Sequence, residues 1–366
     1  MRHLKNSILQ NPDIVGVGGV FNFALVKTLA ANNPDASALL VTRAKNEMSA
    51  PERVEHLFDE KIDGIEDPDE RAEARRIIRL PENVEVVDHS DFLNGFRGRV
   101  EKIFLPVLPS NEMRAGLTTM RKNVGKKAFQ NCEILSASKG MENSTRKLVH
   151  EIIEEVLEVR ERVVVLLGGN LAFDLARGLP MLTELAGAEK SVARVAELLR
   201  YSNLRTYLSR DKKILDVAGP VKNVHSVAAG VTSIFGESAV ASVAVRGLAE
   251  YERIATKLAG CAKNKIPRNG GAASDYHLFQ STRNFAAGRE LIEKLKSGIP
   301  LDTALAEITA GKTIEGLASA FSLRDFVREL GVDAPIIEIT AEVLAGKISV
   351  RAAAEKLMER DPKNNF

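Results

Sequence analysis

Lys222 stands in the stretch GPVKNVHSVAAG (219–230), after a Gly-Pro pair and before a run of small and apolar residues of the kind that packs a helix into a core. Most lysines are on the surface, so a solvated helix start is one reading. The other is that this ammonium has a chemical task. A lysine becomes a useful proton donor when burial or a neighbouring cation lowers its pKa toward neutrality. Pro220 and the turn before it predict Lys222 in the first turn of a helix, where the positive end of the helix dipole lowers the pKa further. Its same-face neighbours Ser226 and Ala229 are small and leave room for a substrate.

A second lysine, Lys139, follows the apolar run CEILSAS (132–138). The C-terminal ends of strands are where open α/β sheets bind ligands. Alone it reads as a loop lysine. Beside Lys222 it makes sense as the second cation of one site, one lysine orienting a polar group and the other giving the proton. The stretch STRN (281–284) precedes a helical pattern. Ser281 or Thr282 can cap that helix, and Arg283 then projects from its start with a fork suited to phosphate. A plain cap with an exposed arginine is an equally good reading of those four residues. His225 and His277 are read as structural. No cluster has metal-ligand spacing, and no Ser-His-Asp or Cys-His arrangement stands out.

The third candidate is the glycine turn GVGGVF, with Gly16, Gly18, Gly19, Val20 and Phe21. It follows the first apolar run and opens a helical pattern. Glycines at such a turn let the backbone approach a pyrophosphate that sits on the helix N-terminus. Read as GxGxxG from Gly16, the third glycine is Phe21, so a plain strand-to-helix turn fits about as well. Its place as the first turn of an alternating αβ chain favours dinucleotide binding. At the tip of the second strand, VTRAK carries Arg43 and Lys45 where NAD-specific sites usually have an acid. Either could be a surface cation or could meet a 2′-phosphate.

Two kinds of element must position these residues. Up to about residue 213, short apolar runs (DIVGVGG, ASALLVTR, VEVV, VEKIFLPVLPS, NCEILSASKG, RVVVLLGGN) alternate with helical patterns. That rhythm predicts a parallel sheet with helices on both faces, an α/β domain over 1–213. Continuously apolar runs suit strands covered on both sides. The stretch after RVVVLLGGN reads as a further helix. From about 214 the pattern is helical almost to the end, predicting an all-α domain over 214–366. The doubly charged stretch at 59–76 reads as a solvated helix.

Composition narrows the partners. The 366 residues are 45% hydrophobic and 27% charged with a net charge of +2, too balanced for nucleic acid or an anionic membrane as main partner. No apolar run approaches the ~18 residues of a membrane span, and the N-terminus lacks the apolar core of a signal peptide. The two cysteines, Cys132 and Cys261, read as free thiols in a reducing cytoplasm.

The blocks VLPSNEMR (107–114), SASKGMENSTRKLV (136–149), GGNLAFDLARGLP (168–180), DVAGPVKNVHSVAAG (216–230), VRGLAE (245–250), STRNFAAG (281–288) and TIEGLASA (313–320) occur in a familiar order and spacing. The chain resembles, over nearly its whole length, the soluble bacterial type of NAD(P)-dependent glycerol-3-phosphate dehydrogenase. The resemblance implies a Rossmann-like domain followed by a helical substrate domain. It implies an oxidoreductase that interconverts dihydroxyacetone phosphate and glycerol 3-phosphate, feeding phospholipid synthesis. The partner is then a small phosphorylated three-carbon substrate, with a homodimer as candidate assembly.

Carried over by motif, the resemblance implies Lys222 as acid/base with Asn223 beside it and Asp275 supporting it. It puts Lys139 at substrate and nicotinamide, Gly168 and Asn170 at the substrate, and Ala172 at the cofactor. Thr282, Arg283 and Asn284 bind substrate and cofactor, and Thr313 and Glu315 approach the cofactor. The chain departs from the family at Gly169 and Asn170, around Asp275 and in the glycine turn. Two other readings follow from those departures: a related two-domain dehydrogenase on another small hydroxy substrate, and a non-catalytic nucleotide-binding paralogue. The joint presence of Lys139, Lys222, Asp275, Arg283 and Asn284 opposes the second. Arg43 and Lys45 predict that NADP(H) is accepted at least as well as NAD(H).

Overall fold

The computed structural model describes residues 10–43, 48–260 and 282–359. Eight strands form one sheet: β1 (Ile14–Gly18), β2 (Ala38–Thr42), β3 (Val84–Asp88), β4 (Ile103–Val107), β5 (Glu133–Ser136), β6 (Val163–Gly168), β7 (Met181–Ala186) and β8 (Leu204–Ser209). Their order is β3-β2-β1-β4-β5-β6-β7-β8. The first six are parallel, β7 pairs antiparallel with β6, and β8 runs parallel to β7. The order across β3 to β6 is that of dinucleotide-binding sheets, whose switch point lies between β1 and β4.

The apolar runs explain the layering. Successive side chains of a strand point to opposite faces. Ile14, Leu40 and Ile103 accordingly enter one core with the helices α1 (Val20–Asn32), α8 (Ala172–Ala176) and α9 (Glu189–Leu198). Their neighbours Val15, Leu39 and Phe104 enter the other with α5 (His89–Gly95), α6 (Ser110–Val124) and α7 (Val149–Leu157). Between β2 and β3 the chain forms the short α2 (Ala50–Glu55), α3 (Asp59–Asp63) and α4 (Pro68–Ile77). The last two are mostly exposed, as the doubly charged stretch requires.

One expectation is corrected here. The stretch after β6 is not one helix: the five residues of α8 give way to β7, then α9 and β8. MLTELA and LRTYLS contain several good helix formers. Their strand state comes from pairing at the end of the sheet, where context overrides local preference.

The remaining helices are α10 (Lys212–Thr232), α11 (Glu237–Ala259), α12 (Arg283–Lys296), α13 (Leu301–Thr309), α14 (Glu315–Glu329), α15 (Pro335–Leu344) and α16 (Val350–Met358). The chain divides into two compact units. Among the described residues, one holds those through Ser138 together with Val149–Leu215, and the other holds Lys139–Leu148 and those from Asp216 onward. Most of α10 belongs to the second unit, where it is buried from Asp216 to Val231. It meets α12 at Gly230 and Gly288, where a Cβ on Gly288 would lie 2.2 Å from the Val227 carbonyl oxygen and 3.1 Å from Gly230 Cα. Among the described residues no helix is long and apolar enough to cross a membrane.

Candidate active site

Lys222 is only 3% exposed. It lies at the middle of the 21-residue α10, not in a first turn, because the helix runs straight through Gly219 and Pro220. Pro220 lacks the N–H that would bond back one turn, at a cost of about 3 kcal/mol in an isolated helix. Burial of the surrounding turns holds the helix regardless, as tertiary packing commonly overrides propensity. The dipole effect fades beyond the terminal turn, so it does not act on Lys222.

The residues around Lys222 form a hydrogen-bonded buried cluster. Asn223 is 4% exposed, and its Oδ1 accepts from Nδ2 of Asn284 at 3.0 Å. Oδ1 of Asn284 accepts the Gly316 N–H at 2.8 Å. One side chain thus ties α10, α12 and the start of α14 together. Ser226, one turn after Lys222, shares a 2.7 Å hydrogen bond with the Thr282 hydroxyl. Thr282 is the N-cap of α12 and accepts the Phe285 N–H at 3.3 Å. Arg283, the first residue of that helix, is exposed. Glu315 opens α14, and Thr313, two residues earlier, is exposed. Asp275, Ser281 and His277 lie outside the described residues, as do Lys45 and Cys261.

Lys139 reaches the same helix. A Cβ built on Gly219 would sit 3.1 Å from Cβ and 3.2 Å from Cγ of Lys139, so the lysine stem crosses α10 one turn before Lys222. The excursion from 139 to 148 is held within its unit by an antiparallel bridge between Met141 and Leu148. Ser322 donates to Asn143 Oδ1 at 2.9 Å, and Arg146 pairs with Glu329 at 2.7 Å. His225 faces elsewhere: its Nε2 meets the buried Glu250 carboxylate at 3.0 Å. Glu250 also accepts the Ile336 and Ile337 N–H groups at the start of α15.

The sheet unit carries the other candidates. Gly18 ends β1 with φ 150°, and a Cβ there would lie 2.2 Å from the Val107 carbonyl oxygen. Gly19 caps α1, and Val20 and Phe21 form its first turn. Phe21 packs against the first core. The amide of Asn22 is fully buried with no hydrogen-bond partner for either atom among the described residues. It lies under the turn, against Gly16. A cleft of about 470 Å³ opens at the ends of β1, β2 and β4, lined by Gly18, Gly19, Thr42, Arg43, Arg53 and His89 among others. A glycine cradle beside a cleft at the switch point fits a dinucleotide. Gly168 ends β6, while Asn170 donates to the Leu182 carbonyl at 3.1 Å, and Ala172 begins α8.

The sequence marks Ser226 only as a small neighbour of Lys222, and it does not reveal Gly219, Arg53 or His89 as site residues. The positions of the first two at helical spacing from Lys222 were a usable signal. Arg53 and His89 carried none, because nothing local shows that they meet at the end of β2. Cys132 is a free buried thiol whose pKa burial pushes up to about 12, so it is chemically quiet.

Comparison with known proteins identifies the family of the chain. The model for the NAD-dependent glycerol-3-phosphate dehydrogenase N-terminus matches residues 14–193, and that for the C-terminus matches 211–355. The glycerol-3-phosphate dehydrogenase, NAD(P)+, of Methylobacillus flagellatus is 32% identical over 265 residues, covering 72% of this chain and 78% of the relative. That of Corynebacterium urealyticum is 31% identical over 310 residues, covering 83% and 90%. Among solved structures, the glycerol-3-phosphate dehydrogenase of Coxiella burnetii superposes with a TM-score of 0.70 at 22% identity, covering 96% of this chain and 100% of the other. The Plasmodium falciparum enzyme gives 0.76 at 14% identity and 98% of both chains, a likeness of fold. With both family models matched and relatives above 30% identity over most of their length, the chain belongs to the NAD-dependent glycerol-3-phosphate dehydrogenase family.

Proposed function

We propose that this protein interconverts dihydroxyacetone phosphate and glycerol 3-phosphate with NAD(P)(H), residues 1–213 forming the cofactor domain and 214–366 the substrate domain. The observation that carries the reading is a lysine buried in the middle of a helix with a network of amides and hydroxyls built around it. A lysine is rarely so buried without a task.

In the reduction direction the nicotinamide, once bound, would supply the hydride. Lys222 gives its proton to the carbonyl oxygen as that oxygen becomes an alkoxide, and in the reverse direction the neutral amine takes the proton back. Lys139 orients the carbonyl oxygen. Arg283, exposed at the start of α12, holds the substrate phosphate with its planar fork. Asn223, Thr282 and Asn284 spend hydrogen bonds on one another and on Ser226 and Gly316, so their first role is to fix Arg283 and Lys222. In the sheet unit, Gly16, Gly18, Gly19, Val20 and Phe21 hold the pyrophosphate and Arg43 the adenosine ribose. Gly168, Asn170, Ala172, Thr313 and Glu315 complete the cofactor and substrate contacts, and Asp275 supports Lys222. These last assignments rest on family resemblance, as do a homodimer and a cytoplasmic location.

An absorbance assay with dihydroxyacetone phosphate and each reduced nicotinamide in turn tests the reading. Turnover with at least one cofactor is expected. A protein that binds reduced nicotinamide but turns over no dihydroxyacetone phosphate would be the non-catalytic paralogue instead.

A further inference from the structure

We propose that Arg53 and His89 join Arg43 in a phosphate pocket at the end of β2, which takes the 2′-phosphate of NADP(H) and makes this protein select the phosphorylated dinucleotide. The proposal rests on the reading that the cleft holds the adenosine half of the cofactor. All three side chains line that cleft, each from a different segment: the end of β2, α2 and the start of α5.

Arg53 is placed firmly. Its NH1 donates to the Arg43 carbonyl at 2.6 Å and to the Thr42 hydroxyl at 3.2 Å, which pins the guanidinium at the strand's end. A capping box fixes the helix that carries it: Glu52 accepts the Ser49 N–H at 2.8 Å while the Ser49 hydroxyl faces the Glu52 N–H. A planar fork held in this way suits a phosphate better than a swinging lysine does. Arg43 lies 4.0 Å from Glu112, another residue of the cleft, and both are more than half exposed. Such a pair is weak, and a dianion can take the carboxylate's place.

His89 adds a charge that depends on the ligand. It is half-buried, and burial first and the Arg43 charge second hold its pKa below the ordinary histidine value, with Asp88 acting the other way. Arg53 and Glu112 are the other charged groups lining the cleft. At neutral pH the ring is therefore mostly neutral until an anion arrives. A phosphate dianion reverses the effect of Arg43 and draws a proton onto the ring. Binding then takes up a proton, so affinity for NADP(H) rises as pH falls between the pKa values of the free and bound states. NAD(H), without the 2′-phosphate, gains nothing from this.

The test is fluorescence titration of the full chain with NADPH and NADH at about pH 7 and about pH 8.5, a range in which the 2′-phosphate stays largely a dianion. The variants are His89→Gln and Arg53→Met. Wild type should bind NADPH about fivefold or more tightly at the lower pH, with NADH nearly unchanged. His89→Gln should abolish that pH dependence. Arg53→Met should weaken NADPH roughly 10- to 100-fold while NADH binding persists, which also reports an intact fold. A His89→Gln protein that keeps the wild-type pH dependence overturns the proposal, and so do losses that are equal for both nucleotides. Wild type that binds neither nucleotide removes the cofactor reading itself, and the proposal with it.

Discussion

Asn284 and Asn223 are joined by a 3.0 Å hydrogen bond between their side-chain amides, both buried, and Asn284 also receives the Gly316 N–H. The bond links the residue beside Lys222 to the residue beside Arg283. Asn284→Ala leaves a buried carbonyl oxygen and a buried N–H without partners. The expected loss of stability is about 1–3 kcal/mol by denaturant titration. Because both functional neighbours lose their anchor, kcat should fall while KM for dihydroxyacetone phosphate rises. A variant with unchanged kinetics would show that the link is structural only.

Gly219 touches the stem of Lys139 at distances that leave little space for a methyl group. Gly219→Ala gains about 1 kcal/mol of helix propensity but forces Lys139 to move by a few tenths of an ångström. Thermal stability should hold or rise while kcat drops, on the order of tenfold, since misplacement by ~1 Å can cost ~100-fold. Unchanged kcat in a stable variant would separate Lys139 from the reaction.

Gly288 is the packing contact on which the α10–α12 crossing depends. A Cβ there would lie 2.2 Å from the Val227 carbonyl oxygen and 3.0 Å from the Val231 nitrogen. These are backbone atoms and cannot swing away. Gly288→Ala should cost about 1–3 kcal/mol even after the propensity gain. The unfolding midpoint checks this, and an unshifted midpoint would mean that the two helices part easily.

Arg283 tests the phosphate reading. Removing its charge-assisted hydrogen bonds should cost about 1.5–3 kcal/mol in kcat/KM. Steady-state kinetics of Arg283→Ala should show this loss with dihydroxyacetone phosphate and a much smaller one with dihydroxyacetone. Part of the loss should fall in kcat, because phosphate binding also positions the carbonyl. Arg283→Lys should restore little, as a point charge lacks the fork. Equal losses on both substrates would contradict the assignment.

The sheet from β1 to β6 was legible because most of its strands are continuously apolar, as burial on both faces requires, although β3 (VEVVD) carries Glu85 and is only partly buried. β7 and β8 were not, because Leu, Glu and Ala in MLTELA carry no strand signature and pairing alone decides them. Thr282 was legible as a cap since a hydroxyl before a helix has a local function. The placement of Lys222 was misread because Gly219 and Pro220 are local stop signals, whereas the forces that carry α10 through them come from distant residues. Arg53 and His89 are 36 positions apart in the chain and meet only through the sheet order, which no local pattern displays.

The central claim is that Lys222 transfers the proton. The direct measurement is kcat of Lys222→Ala with dihydroxyacetone phosphate, alongside titration of the same protein with NADPH. The account expects kcat to fall by about 10²–10⁴-fold with NADPH affinity close to wild type, since the lysine lies in the helical unit and the glycine cradle in the sheet unit. A folded variant that binds NADPH and turns over at near the wild-type rate would contradict it.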